Sequence, residues 1–333
     1  MKGRKSMDIR EMIQTIHEEK QSIGGIQQVI WLAAGGSYGG FYPGHYFLDQ
    51  ESTKLRSKNV TSNEFVKAPP AFVNETTLAV ICSMRGTPET IEAAKVAKKL
   101  GAATIALYID ESELTEVCDY KIHYDSVAVD ESDFSKTNAA YGLKLAMTVM
   151  DVVEGYEHMT TAMKSFEEID ALYKQAVKDI RTKAIKWALQ NRDSKSIHVM
   201  GSGAAYGAAY IFSICNIMEM LQIDSPTVNS CDFFHGPFEV IDEETSVFLL
   251  KGEGGSRPND ERAARFLQEF GGKKVFVLDS QELGLSHIDS KVSEYFNHLI
   301  FSPILNNVFM RELAYQIKKD YTQRTYMWKA SYN

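Results

Sequence analysis

Short apolar runs rich in Val and Ile alternate along this chain with segments whose apolar residues recur at helical spacing, a pattern that predicts strands and amphipathic helices in turn. In the first half, strands are expected near 28–34, 78–82, 103–108 and 119–124, with helices near 38–53 and 87–100. In the second half, strands near 196–200, 246–250 and 274–278 alternate with helices near 204–222 and 258–270. Residues 7–22 read as a lead-in helix, with Met7, Ile9, Met12, Ile13 and Ile16 among charges, and 138–152, 157–191 and 303–319 as further helices. Apolar strands separated by helices imply parallel sheets covered on both faces. The expected class is α/β, two tandem domains each with a doubly wound, mainly parallel sheet. Glu154-Gly155-Tyr156 offers a break, which places one domain at 1–155 and the other at 156–333.

The two halves also correspond residue by residue. VIWLAAGGSYGGFY at 29–42 returns 168 positions later as IHVMGSGAAYGAAY at 197–210, and the same offset pairs Tyr38 with Tyr206, Glu64 with Asp232, Phe65 with Phe233 and Pro69 with Pro237. A duplicated strand, Gly-rich turn and helix leads us to expect a ligand where similar halves meet, with divergence between the copies marking the chemistry.

Composition narrows the function. At 333 residues, with 44% apolar and 24% charged, the chain can fill two cores. Its 36 basic and 44 acidic residues give a net charge of -8 without a basic cluster, which argues against nucleic acid. No stretch is expected to span a membrane, and the start MKGRKSMDIREMIQ lacks the apolar core of a signal peptide. Cys82, Cys118, Cys215 and Cys231 form no CxxC pair, as expected of reduced thiols in a cytoplasmic protein. No metal-ligand cluster is visible, so no metal or cofactor is expected.

Two turns carry candidate anion-binding groups. Gly35-Gly36-Ser37 follows a predicted strand and opens a predicted helix, where backbone amides can approach an anion; tight packing would also select small residues there. After the strand LAVIC, Ser83-Met84-Arg85-Gly86-Thr87-Pro88-Glu89-Thr90 is a second such turn, with hydroxyls at Ser83, Thr87 and Thr90. Thr87 either binds an anion or caps the helix. Arg85 either completes an oxyanion site or is a surface charge.

The acid-base candidates lie in the second half. Glu219 is a lone carboxylate in the apolar run SICNIMEMLQI, either a base with a raised pKa or a structural group with a local donor. His235, in CDFFHGPFE, is either structural or a neutral-pH proton donor and acceptor. Asp232 and its copy Glu64 either touch a ligand's hydroxyls or cap turns.

These motifs together resemble the SIS (sugar isomerase) domain family of phosphosugar-binding proteins, and most of all the bacterial fructosamine-6-phosphate deglycases. The likeness rests on AxGGSYxxFYP at 33–43, GTPET at 86–90, FFHGPFE at 233–239, a DERA-like stretch at 260–264 and RxYMWK at 324–329. The loop is one residue shorter than the usual SxxGNTPET. The resemblance implies phosphate binding by Ser37, Ser83, Thr87 and Thr90, with Gly36 beside them, and acid-base catalysis by Glu219 and His235, whose spacing before Gly-Pro matches the family pattern. It implies a substrate contact from Lys329, by analogy with a tail lysine in related isomerases. It further implies a homodimer or larger homo-oligomer with interfacial active sites, in which His235 can serve a neighbour, and a phosphorylated sugar-amine substrate. An aldose-ketose or amino-sugar phosphate isomerase would use the same Glu and His, and a non-catalytic phosphosugar sensor would have lost them. A full glucosamine-6-phosphate synthase needs an N-terminal Cys nucleophile, whereas the first Cys here is Cys82. The copies diverge accordingly: Lys251 and Gly254-Gly255 replace Ser83 and Gly86-Thr87, while Lys67 and Glu51 stand at the positions of His235 and Glu219.

Overall fold

In the computed structural model, which describes residues 8–331, the chain folds into two compact units that divide between Glu167 and Glu168. Met7 of the expected lead-in helix, and Tyr332 and Asn333 of the tail, lie outside the described residues.

Unit 1 opens with α1 (Ile9–Glu19), which buries Met12, Ile13 and Ile16. Its sheet contains β1 (Gln28–Ala33), β2 (Arg56–Thr61), β3 (Thr77–Cys82), β4 (Ala103–Tyr108) and β5 (Tyr120–His123), all parallel, in the order β2-β1-β3-β4-β5. Every residue of β1 and β3 is buried, which is why both read as unbroken apolar runs. The helices are α2 (Gly35–Gly40), α3 (Tyr42–Glu51), α4 (Ser62–Lys67), α5 (Pro88–Lys99), α6 (Glu113–Val117) and α7 (Asn138–Val153). Alternate strand residues face opposite ways. Ile30, Leu32, Ala79 and Ile81 meet Phe65 of α4, Ala93 of α5 and Leu114 of α6. On the other face Trp31 packs against Phe41 at the head of α3, and α3 lies so close to α7 that a Cβ on Gly44 would sit 2.7 Å from the Gly142 carbonyl oxygen.

The 33-residue α8 (Met159–Asn191) runs through the division in sequence. Unit 2 has β6 (His198–Gly201), β7 (Thr227–Asn229), β8 (Val247–Lys251) and β9 (Val275–Asp279), again parallel, in the order β7-β6-β8-β9. Around it are α9 (Tyr206–Ile211), α10 (Arg257–Phe270), α11 (Asn297–Ile304) and α12 (Arg311–Gln316). α9 passes directly into a π-helical segment, Phe212–Leu221, and a second one, Leu305–Met310, joins α11 to α12. Trp187, Phe212, Phe248 and Phe309 form an aromatic core, with Phe248 and Phe309 edge to face at 4.9 Å.

The α/β class with two parallel sheets matches the sequence expectation. β2 and β7 are additions: both are edge strands, β2 reading RSKNVT with only Val60 buried, β7 only three residues long, so neither carries an apolar run. The expected helix at 38–53 divides into α2 and α3, which meet at Phe41 and Tyr42. Contrary to expectation, Gly203–Leu221 is long and apolar enough to cross a membrane, but 61% of it is buried inside the structure, which makes it a core helix.

Candidate active site

The strand order of unit 1 reverses between β1 and β3, so the connections leaving these strands diverge and open a crevice at their carboxyl ends. The Gly35-Ser37 turn follows β1 and the Ser83-Thr90 loop follows β3. The loop is pinned to the neighbouring strand end: the Met84 carbonyl accepts from the amides of Ile109 and Asp110 at 3.2 and 3.0 Å. Gly86 sits at φ +70°, and a Cβ there would lie 2.4 Å from Ser112 Oγ, so the shortened loop closes only on glycine.

Within the loop the hydroxyls form a chain. Ser83 Oγ accepts from the Thr87 amide at 3.0 Å, Thr87 Oγ1 donates to Thr90 Oγ1 at 2.9 Å, and Thr90 Oγ1 lies 2.9 Å from Ser62 Oγ at the head of α4. Thr87 is exposed at the N-cap of α5, whereas Thr90 and Ser62 are fully buried. Of these hydroxyl residues Thr87 is exposed, while Ser83, Thr90 and Ser62 are buried around it. Ser37 is half-buried next to Gly36 and hydrogen-bonds both Cys82 and Tyr124. Burial pushes the Cys82 thiol up to about 11, only partly offset by bonds from Ser37, Tyr124 and Asn138. Arg85 is not between the hydroxyls: its side chain is 72% exposed and its Nε donates to Asp110 Oδ2 at 3.2 Å. Glu64 is exposed in the first turn of α4.

In unit 2 the corresponding loop carries charge instead of hydroxyls. Lys251 Nζ lies 2.7 Å from Asp279 Oδ2, and Arg257 grips both oxygens of that carboxylate at 3.0 and 2.8 Å. Asp260, fully buried, accepts from Ser202 Oγ at 2.7 Å and from the Gly252 amide at 3.2 Å.

Glu219 lies on the π-helical segment Phe212–Leu221, whose inner side is fixed by Phe212, by Ile217 and by Asn216 donating to Asn306 Oδ1 at 2.7 Å. The carboxylate faces a cleft of about 570 Å³ lined by Met218, Glu219, Gln222, Arg324, Thr325, Tyr326 and Met327. Of the two readings open for Glu219, the structure supplies a donor, though from the distant tail and not a local one: Arg324 Nε donates to Glu219 Oε1 at 2.7 Å, with the arginine side chain 9% exposed. The tail is fastened around this pair. Arg324 also donates to the Tyr321 carbonyl at 2.6 Å, Lys329 Nζ donates to the Arg324 carbonyl at 2.6 Å, and Gln222 bonds Thr325 and Lys319. Lys329 is thus brought to the Glu219 neighbourhood through the arginine backbone.

His235 is elsewhere. Its turn is anchored by Phe233, Phe234 and Phe238 around Phe266 of α10, with ring centroids 5.6 to 5.8 Å away, while His235 itself is exposed and is not among the residues lining the Glu219 cleft. The apolar part of the turn is its anchor, and the imidazole faces outward. Asp232 is exposed in the same turn, and its carbonyl accepts from the His235 amide at 3.0 Å.

Sequence reading missed Ser62, Tyr124, Asp260 and Arg324. Ser62 and Arg324 act on partners 28 and 105 residues away, which no local pattern displays. Asp260 and Arg324 lie within motifs that had been noticed, DERA and RxYMWK, so those motifs held the available signal.

No family model matches the chain. Fructosamine deglycase FrlB of Bacillus subtilis (strain 168) is 35% identical over 309 residues, covering 92% of this chain and 93% of that protein. A solved structure from Salmonella typhimurium LT2, named for a proposed phosphosugar isomerase activity, superposes with a TM-score of 0.92 at 36% identity, over 97% of this chain and 99% of the other. Another so named, from Bacillus subtilis, superposes with a TM-score of 0.89 at 33% identity, over 96% and 99%.

Proposed function

The chain belongs to the SIS phosphosugar isomerase family, among the fructosamine deglycases, and from that premise we propose that it cleaves a fructosamine 6-phosphate into glucose 6-phosphate and a free amine or amino acid. The observation that carries the phosphosugar part is the linked set of hydroxyls at the unit 1 switch point, which offers neutral donors to an anion, with the nearby Asp110 carboxylate engaged by Arg85. Likeness to a deglycase over nearly the whole chain favours the amine-releasing reaction over simple isomerisation.

In this reading Ser37, Ser83 and Thr87 hold the phosphate, and Thr90 orients them. Glu219 removes the C1 proton of the open-chain sugar. The electron pair moves toward the C2 carbonyl, whose oxygen receives a proton from His235, giving an enaminol. Return of a proton to C2 yields the C1 Schiff base of glucose 6-phosphate; water adds to C1 and the C–N bond breaks. His235 lies outside the Glu219 cleft, which supports its supply to a second copy of the chain. Asp232 and Glu64 are proposed to contact sugar hydroxyls, and Lys329 to close over the substrate.

Incubation with phosphorylated Amadori compounds and with fructose 6-phosphate, reading glucose 6-phosphate, separates the reactions. Release from the Amadori compounds alone supports the deglycase, and turnover of fructose 6-phosphate alone replaces it with an isomerase. Glu219→Gln is expected to lower kcat by roughly 10²- to 10⁴-fold. Mixing Glu219→Gln with His235→Ala protein should restore part of the activity if copies exchange His235, with the oligomer measured by light scattering.

A further inference from the structure

The Glu219 ion pair is asymmetric. Arg324 Nε engages Oε1 at 2.7 Å, while Oε2 has no hydrogen-bond partner among the described residues, in a side chain that lines the cleft. A guanidinium held on one carboxylate oxygen fixes the plane of the group and leaves the other oxygen as the single proton acceptor. Arg324 is itself held: its Nη1 donates to the Tyr321 carbonyl at 2.6 Å, its backbone carbonyl accepts from Lys329 Nζ at 2.6 Å, and its guanidinium carbon lies 6.0 Å from the Trp328 ring centroid. The neighbouring Thr325 is tied to Gln222 at 2.7 Å, one turn beyond Glu219 on the same stretch of chain. The arginine therefore reaches the cleft as part of a folded hook and not as a loose surface charge.

We propose that Arg324 is a positioning residue for the base, orienting the Glu219 carboxylate so that Oε2 faces the C1 proton. The proposal rests on the assignment of Glu219 as the base. Arg324 touches no reacting atom; it acts through Glu219, and its loss should reduce kcat while leaving the phosphate-dependent KM nearly unchanged.

The test is steady-state kinetics of Arg324→Ala, and of Arg324→Met as a variant that keeps the packing stem, on the full chain with a phosphorylated Amadori substrate. The expected result is a fall in kcat of at least about tenfold with KM within about threefold. About 50 mM guanidinium chloride should recover several-fold activity in Arg324→Ala, because free guanidinium can refill the site, and should recover none in Glu219→Gln. Thermal unfolding is followed in parallel. A kcat within twofold of wild type in both variants overturns the proposal, as does a loss in Arg324→Ala that guanidinium leaves unchanged while unfolding is native. If Glu219→Gln is inactive while the arginine variants are normal, only the role of Arg324 falls. If Glu219→Gln retains full turnover, the assignment of the base falls first.

Discussion

Unit 1 and unit 2 repeat the same strand, turn and helix, yet the carboxyl ends of their central strands hold opposite chemistry. In unit 1 the loop after β3 presents hydroxyls, and Thr90, two residues after the helix-opening Pro88, braces them from within. In unit 2, Asp260 stands two residues after Pro258 and places a carboxylate at the matching point, where it takes the Ser202 hydroxyl and the Gly252 amide. Burial pushes the Asp260 carboxyl above its ordinary range, against the pull of those hydrogen bonds and of nearby Arg257. The cations that would attract a ligand, Lys251 and Arg257, are already engaged by Asp279. A fold that favours an anion at this point can bind one from solution or carry its own. In the proposed function unit 1 follows the first course, and unit 2, with Asp260, the second.

Thr90→Asp copies the second arrangement into the first and has the largest expected effect. A misplaced buried charge costs on the order of 3 kcal/mol, so KM for a phosphorylated substrate should rise about 100-fold and inhibition by inorganic phosphate should disappear. Steady-state kinetics, with circular dichroism to check folding, measures this; an unchanged KM would break the comparison.

Asp260→Ala is expected to destabilise the protein by about 1–3 kcal/mol, because Ser202 and Gly252 lose a buried acceptor, whereas Asp260→Asn retains one and should cost less. Urea denaturation distinguishes them, and KM should change little in a variant that stays folded.

Acid separates the units further. His298 in unit 2 is buried with both ring nitrogens unpartnered among the described residues, and burial pushes it down to about 3, whereas His45 in unit 1, also lowered by burial, has Ser57 Oγ at 2.9 Å. A base whose folded pKa lies below its unfolded value contributes stability that is present above the unfolded value, near 6.5, and lost as pH falls toward the folded one. Unit 2 should therefore weaken by up to about 1.4 kcal/mol per pH unit below 6.5 from this residue, and His298→Leu should flatten the slope. Denaturation curves between pH 6.5 and 4.5 read it; equal slopes in variant and wild type would assign acid sensitivity elsewhere.

Arg85→Met should do least. An exposed pair of this kind contributes at most about 1 kcal/mol, so KM should move less than about fivefold; a larger rise would return Arg85 to the anion site.

What was legible in the chain follows the same physics. β1, β3 and β8 are buried along almost their whole length and announced themselves as apolar runs, while β2 and β7, on sheet edges, did not. Ser83, Thr87 and Thr90 could be grouped because one loop carries them, though the partner that holds Thr90 from within, Ser62, comes from another helix. Glu219 was conspicuous as a carboxylate among apolar residues, but its arginine partner comes from the distant tail. The outward turn of Arg85 depends on Asp110 at the end of a neighbouring strand connection. Local pattern exposes burial and candidate chemistry; pairing across the fold decides which way each group points.

The π-helical stretch Phe212–Leu221 carries a further consequence. Removing one residue between Phe212 and Met218 while the wide turns are kept would swing every later side chain by roughly a quarter turn around the axis. Glu219 would then leave its cleft although no residue of the cleft had been altered. Single-residue deletions here should be as harmful as loss of the carboxylate itself, which makes the length of this helix, and not only its composition, something selection must hold constant.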